Sequence, residues 1–159
     1  GDPETQPVML RLQSDLVDLV EAAIDGRLHE TRAQWDPRPS LGVVMAARPY
    51  PDAPLTGDVI HGLNAVPAGA KVFHAGTALD ASGNVVSAGG RVLCVAALGD
   101  SVGDAQRRAY AGVDAIHWAN EFHRNDIGWR AIGRERRDLV DDSNASDPST
   151  VRVAATWPA

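Results

Sequence analysis

Residues 91–98 read Arg91-Val-Leu-Cys-Val-Ala-Ala-Leu98, an apolar run of strand length that follows the glycine pair Gly89-Gly90. A short run of apolar residues bounded by turn residues is typical of a strand in a protein core. The only cysteine of the chain, Cys94, lies inside this run. We therefore expect a strand that carries a buried, inert thiol, and no internal disulfide.

The segments on the N-terminal side of this run predict further strands. Leu41–Ala47 is an apolar run bounded by prolines and predicts a buried strand, and 58–61 is a candidate for a second, shorter one. Lys71–Ala75 also has a strand pattern, and the turn residues within 79–86 indicate a hairpin. Together they predict an α+β protein with an antiparallel sheet of four or five strands and flanking helices.

Two helices and a tail complete the predicted order. Apolar residues recur at helical spacing between Pro7 and Ala23, and Gly26 is a suitable stop. Ser101 and Asp104 have the spacing of a capping box, which predicts a helix that carries Ala105, Ala109, Val113, Ile116 and His117. Beyond about residue 134 the chain is polar and has little apolar periodicity, so we expect a mobile tail over 135–159.

Composition limits the possible functions. The chain has 159 residues, 44% of them hydrophobic, which suits one domain with a sizeable core. Its net charge of −6 disfavours binding to nucleic acid or anionic membranes. Neither an apolar run of membrane-spanning length nor a secretory signal is evident. These features predict a soluble, cytoplasmic protein.

Five segments resemble one enzyme family in its own order. They are Gly1-Asp-Pro-Glu-Thr-Gln6, Gly57-Asp-Val-Ile-His-Gly-Leu63, Lys71-Val-Phe-His-Ala-Gly-Thr77, Gly89-Gly-Arg-Val-Leu-Cys-Val95 and Asp126-Ile-Gly-Trp-Arg-Ala-Ile132. On these segments the chain is identified as a member of the phosphoribosylamine–glycine ligase family, in the ATP-grasp superfamily. The resemblance covers about residues 1–134.

The resemblance implies a fragment of a longer enzyme. Residues 1–26 would end the ATP-grasp domain with a signature loop and helix, and 27–134 would form the antiparallel α+β C-terminal domain. The family joins glycine to 5-phosphoribosylamine in purine biosynthesis and hydrolyses ATP to ADP and phosphate. ATP and Mg²⁺ (or Mn²⁺) would be held by residues that precede Gly1, in the missing N-terminal and ATP-grasp domains. The fragment alone would hold no metal and no complete catalytic set.

Two acids in the opening segment are the first candidate site residues. A carboxylate is a suitable partner for an amine, so Asp2 and Glu4 could orient glycine or the sugar amine. The alternative is that both acids only favour the start of the following helix.

The other candidates follow predicted strands. His74, Gly76 and Thr77 could form the rim of a polar substrate site, or only a strand-to-turn transition. Gly90 and Arg91 could let an anion approach the backbone and a guanidinium, although a plain hairpin turn explains them nearly as well. Asp126 and Arg130 could contact substrate, but their spacing favours an ion pair on a helix.

Several features qualify this interpretation. Pro49-Tyr50-Pro51 stands where the family usually has Gly-Tyr-Pro, and Ala88 stands where it has asparagine, which puts any substrate role of these positions in doubt. The histidines have no metal-ligand spacing.

The first helix is expected to expose apolar residues such as Val8, Leu12 or Leu16. The alternative function is a free-standing, non-catalytic binding module derived from the same domain.

Overall fold

The computed structural model describes the backbone of residues 3–145 and the side chains of residues 3–138. These residues divide after Gly128 into two compact units. Short 3-10 helices cover Leu28–Glu30 and Leu63–Ala65. The other elements in chain order are α1 (Thr5–Arg11), α2 (Leu16–Ile24), β1 (Ser40–Ala47), β2 (Ala70–His74), β3 (Thr77–Leu79), β4 (Val85–Ser87), β5 (Arg91–Leu98), α3 (Val102–Asp114), β6 (Glu121–His123) and α4 (Trp129–Ala145).

The first unit is built on an antiparallel sheet of four strands in the order β2-β5-β1-β6. The strand predicted from the apolar run is β5, with the predicted bounds, and it lies between β1 and β2. The predicted hairpin also forms, but β3 and β4 make a separate sheet of two strands. The α+β antiparallel fold predicted from the sequence is confirmed.

Two details of the sheet differ from the prediction. Residues 58–61 form no strand, because Val59 and His61 each make only an isolated bridge, to Val86 and His117. Strand β6 was not predicted, since its three residues are too few to show a periodic pattern. It adds an edge to the sheet by pairing with the end of β1.

Helix α3 covers one face of the sheet as predicted. Ser101 caps it, because its Oγ accepts a hydrogen bond of 3.1 Å from the Asp104 backbone N–H. Asp104 in turn accepts from the backbone N–H of Asp100 rather than from that of Ser101. Ala105, Ala109 and Val113 are buried against the core, whereas Ile116 and His117 lie beyond the helix end.

The single N-terminal helix that the sequence predicts is two helices. Asp15 starts α2 by accepting a 2.8 Å bond from the Val17 backbone N–H, and the Gln13 N–H donates to the Gln34 carbonyl. This bond joins residues that are distant in the sequence. It is incompatible with a continuous helix, because a helical N–H bonds to the carbonyl four residues before it. Helix α2 ends at Ile24, and the predicted stop residue Gly26 follows two residues later with a φ of +70°.

Helix α1 covers part of the other sheet face. The Ser40 hydroxyl donates to the Pro7 carbonyl at 2.7 Å, and a Cβ built on Gly42 would lie 3.4 Å from the Pro7 ring. The sheet centre is therefore covered on both faces, by α3 and by α1. Among residues 3–145, no helix is both long and apolar enough to cross a membrane.

The second unit begins with α4. Residues 135–145, which the sequence assigned to a mobile tail, continue this helix, while 146–159 lie outside the described residues. Arginine and glutamate have good helix propensity, so Arg134–Arg137 can extend a helix without a regular apolar pattern. The domain boundaries at residues 26 and 134 stay predictions, since the structure divides after Gly128.

Candidate functional site

Two glycine turns predicted as site segments lie against each other. The Gly76 N–H donates to the Arg91 carbonyl at 3.0 Å, and the Ala88 N–H donates to the Gly76 carbonyl at 2.8 Å. A Cβ on Gly76 would lie 2.8 Å from the Gly89 Cα, a distance that real contacts do not allow. Glycine is therefore required at Gly76 by close backbone packing. This contact joins the β2–β3 turn to the start of β5.

The side chains beside Gly76 bond to each other. His74 Nδ1 lies 3.1 Å from Thr77 Oγ1, and His74 is exposed. This bond spans the β2–β3 turn, as the strand-to-turn alternative predicts. The structure thus brings His74, Gly76 and Thr77 together next to Arg91, as a substrate rim requires.

Tyr50 connects this cluster to the loop that follows β1. A Cβ on Gly90 would lie 2.4 Å from the Tyr50 Cδ2, so only glycine at this position lets the ring pack so closely. The Arg91 guanidinium lies 5.8 Å from the centroid of the same ring, within the range of a cation–π contact. The sequence left the role of the Pro49-Tyr50-Pro51 loop in doubt. In the structure, the Tyr50 ring of this loop packs against Gly90 and Arg91.

A cavity of about 340 Å³ opens beside Tyr50 and Arg91, on the sheet face opposite α3. Its size is that of a site for a small ligand. Small side chains of β1 form its floor, aromatic rings its walls, and the sequence did not predict Phe122 or His123 as wall residues. The lining residues are Pro3, Gly42, Val44, Ala46, Tyr50, Arg91, Phe122, His123, Arg124 and Ile127.

Carboxylates lie close to two of the basic side chains at the cavity. Arg124 donates to both carboxylate oxygens of Asp126, at 2.8 and 2.7 Å, and this hydrogen bonding raises the pKa of Arg124 above its usual value. His123 Nδ1 lies 2.6 Å from a Glu121 carboxylate oxygen. Arg91, which is exposed, is the third basic residue of the lining.

The helix predicted to carry both Asp126 and Arg130 begins only at Trp129. Asp126 lies in the loop between β6 and α4, not on a helix, and its carboxylate pairs with Arg124. Arg130 belongs to the second unit, where its guanidinium lies 5.2 Å from the centroid of the Trp129 ring. The i,i+4 spacing was a misleading signal, because the helix begins at Trp129.

The opening acids are only partly described. Asp2 lies outside the described residues. Glu4 is at the N-cap of α1, where its side chain makes no capping hydrogen bond. It lines a second cavity of about 590 Å³ together with Pro7, Val8, Arg11, Trp35 and Ser40. Pro3, beside it, lines the first cavity, so the opening segment lies between the two.

The described residues also include side chains of the types that hold metals or phosphates in other proteins. Within the described residues, no group of three or more His, Cys, Asp or Glu side chains is arranged to hold a metal ion. Lys71, the only lysine of the chain, lies on strand β2 and not in a glycine-rich loop before a helix.

Comparison with protein families gives one match to this region. Residues 40–130 match the family described as "Phosphoribosylglycinamide synthetase, C domain". The match includes the floor and walls of the cavity from Gly42 to Ile127, and it excludes helices α1 and α2.

Individual proteins give a longer match. A phosphoribosylamine–glycine ligase of Xanthomonas axonopodis pv. citri (strain 306) is 80% identical over 137 residues, which are 86% of this chain and 32% of that protein. The Escherichia coli K12 ligase is 61% identical over the same share. The chain thus spans about a third of the length of the curated relatives it matches.

A solved structure shares the fold. The crystal structure of the phosphoribosylamine–glycine ligase from Thermotoga maritima superposes with a TM-score of 0.67 at 32% identity, over 79% of this chain and 30% of that one.

Proposed function

Since the chain belongs to the phosphoribosylglycinamide synthetase C-domain family, we propose that it is the C-terminal part of a phosphoribosylamine–glycine ligase. The complete enzyme would join glycine to 5-phosphoribosylamine with hydrolysis of ATP, giving glycinamide ribonucleotide for purine biosynthesis in the cytoplasm. The chain supplies one wall of the substrate cleft and is inactive by itself.

One observation carries this proposal. The segments that resemble the family, 71–77 and 89–95, come together at the Gly76–Gly89 contact, and Arg91 extends from it to the rim of the cavity. A guanidinium above a ring, next to a backbone that only glycine permits, suits recognition of a phosphate or carboxylate. We assign Arg91 and Gly90 to the sugar phosphate, with His74, Gly76 and Thr77 behind them.

We propose that ATP and Mg²⁺ (or Mn²⁺) are held by the N-terminal and ATP-grasp domains of the complete enzyme, where the metal neutralises charge on the transferred phosphoryl group. Asp2 and Glu4 are proposed to face the amine of glycine or of the sugar at the boundary with those domains.

The test is to complete the enzyme. The chain is joined to the upstream two-thirds of the Xanthomonas axonopodis pv. citri relative, giving a protein that we call the completed ligase. We expect ADP release that requires both glycine and phosphoribosylamine, and none from either piece alone. ADP release that does not depend on glycine or on phosphoribosylamine would favour the alternative of a non-catalytic binding module. The same holds if the folded protein releases no ADP.

Arg91→Ala in the completed ligase tests the site assignment. Loss of one charged contact to a phosphate is expected to lower kcat/KM for phosphoribosylamine by about tenfold or more, since a charge-assisted hydrogen bond contributes about 1.5–3 kcal/mol. The KM for ATP should change by less than about twofold. An equal effect on both substrates would contradict the assignment.

A further inference from the structure

Asp58 lies between the two loops that form the rim of the cavity. Its carboxylate Oδ2 accepts from the side-chain amide of Asn120 at 2.8 Å and from the Asn120 backbone N–H at 3.1 Å. Its own backbone bonds to Ser87, where the Ser87 N–H donates to the Asp58 carbonyl at 2.9 Å. One residue thus links the turn before β6 to the end of β4.

The Asn120 side of this link leads to Tyr50. The Asn120 carbonyl accepts from the Arg48 backbone N–H at 2.8 Å, at the start of the loop that carries Tyr50. The Tyr50 N–H donates in turn to the Ala47 carbonyl at 3.0 Å. The position of the Tyr50 ring therefore depends on a loop whose first residue is held by Asn120.

The Ser87 side leads to Arg91. Ser87 is buried, its Oγ accepts from the Asp58 N–H at 3.2 Å, and its carbonyl accepts from Gly57 at 2.7 Å. It immediately precedes 88–90, the turn that packs on Gly76 and on the Tyr50 ring. Asp58 therefore bonds to both sides of the Arg91 site. Its carboxylate holds Asn120, which leads to the Tyr50 loop, and its backbone holds Ser87, which leads to the 88–90 turn.

We propose that Asp58 is a positioning residue. It fixes the position of Tyr50 relative to the Gly90–Arg91 backbone, so that the Arg91 guanidinium contacts the anionic group of the sugar phosphate. The inference rests on the proposed function and extends it. Asp58 does not line the cavity beside Arg91, so its effect on substrate must pass through the two loops.

The test uses the completed ligase and a matched control. Asp58→Ala removes both bonds to Asn120. Asp80→Ala removes a similar set elsewhere, because Asp80 accepts from the Asn84 side chain at 2.9 Å and from the Asn84 and Ser82 N–H groups at 2.8 Å, in the β3–β4 turn. Comparing them separates positioning from general loss of stability.

We expect Asp58→Ala to lower kcat/KM for phosphoribosylamine by about tenfold or more, because small displacements of a binding group are costly, with the KM for ATP unchanged. Asp80→Ala should change neither by more than about twofold. In an Arg91→Ala background, Asp58→Ala should cause little further loss, since the two act on one contact.

A double variant keeps the test decisive if Asp58→Ala folds poorly. Exchanging the pair, Asp58→Asn with Asn120→Asp, rebuilds an amide–carboxylate bond in the reverse sense and should restore kcat/KM to within about threefold of the unsubstituted protein. Failure of this rescue in a folded protein, or equal effects of Asp58→Ala and Asp80→Ala, would overturn the inference. If the unsubstituted completed ligase shows no substrate-dependent ADP release, the proposed function fails first and this inference with it.

Discussion

Strand β5 and helix α2 are both rich in apolar residues, yet the apolar side chains of β5 are buried and most of those of α2 are exposed. In β5, residues 92–97 are all buried. In α2, Ala22 is the one buried residue, whereas Leu16, Val17, Val20 and Ile24 are 46–79% exposed. At 100° per residue these four side chains lie on one side of the helix, within about 100° of arc.

The difference lies in what covers each element. Helices α3 and α1 cover the two faces of the sheet around β5, whereas the apolar side of α2 faces outward. Contiguous exposed apolar surface is a mark of an interaction site. The exposure predicted for the first helix is confirmed for Val8 and Leu16, while Leu12 is half-buried and bridges to Trp35.

The largest expected effect comes from removing a β5 side chain. Leu93 is 1% exposed and belongs to the core cluster, so Leu93→Ala should lower the free energy of unfolding by about 2–5 kcal/mol. Ile24→Ala, at a residue that is 79% exposed, should change it by less than about 0.5 kcal/mol. Urea unfolding followed by circular dichroism measures both. Similar losses for the two variants would break the comparison.

The fold could be predicted where a local pattern determines the structure. The apolar run of β5 and the Ser101 cap are local signals, and both elements formed as expected. The split between α1 and α2 could not be predicted, because it depends on Gln13 bonding to Gln34, which is distant in the sequence. Tertiary bonds of this kind override helix periodicity.

The site shows the same limit. The glycines near Arg91 could be found from the sequence, since close backbone approach needs glycine. Phe122 and His123 could not, because β6 is too short to predict and its pairing with β1 brings them to the cavity. The Asp126–Arg124 pair was also missed, as helical spacing favoured Arg130 instead.

The caps of the two helices sharpen the comparison. Ser101→Ala removes the cap of α3, which packs on the core, and should lower the free energy of unfolding by about 1 kcal/mol. Asp15→Ala removes the cap of α2, where the loss should be only local fraying, with about half that effect or less on global unfolding. Hydrogen exchange should therefore rise in 16–24 after Asp15→Ala while the β5 amides stay protected. A loss of β5 protection would show that α2 supports the core.

The exposed apolar side of α2 should be visible in solution as dye binding. The paired substitutions Val17→Glu and Ile24→Lys place charges on the exposed apolar side of α2 without burying them. The free energy of unfolding should therefore change by less than about 0.5 kcal/mol. We expect lower fluorescence of a hydrophobic dye and less self-association in sedimentation. Leu79→Glu, at an exposed apolar residue of β3, is the control. An equal drop in dye binding for the control would mean that α2 is no special surface.

The smallest effect should be seen at Asp36, which ties the segment after Trp35 to α1. Hydrogen bonds from Arg38, with its charge and that of Arg11, lower the pKa of Asp36 to about 2. A carboxyl with a lowered native pKa stabilises the fold above its unfolded pKa of 3.8, and this contribution is lost as the pH falls through about 2. The urea midpoint of Asp36→Asn should therefore lie below that of the unsubstituted chain above about pH 4, and the two should converge between pH 4 and 2. A gap that does not depend on pH would contradict this prediction, because the backbone bonds of Asp36 to Arg11 are kept in the amide variant and only the carboxylate charge is removed.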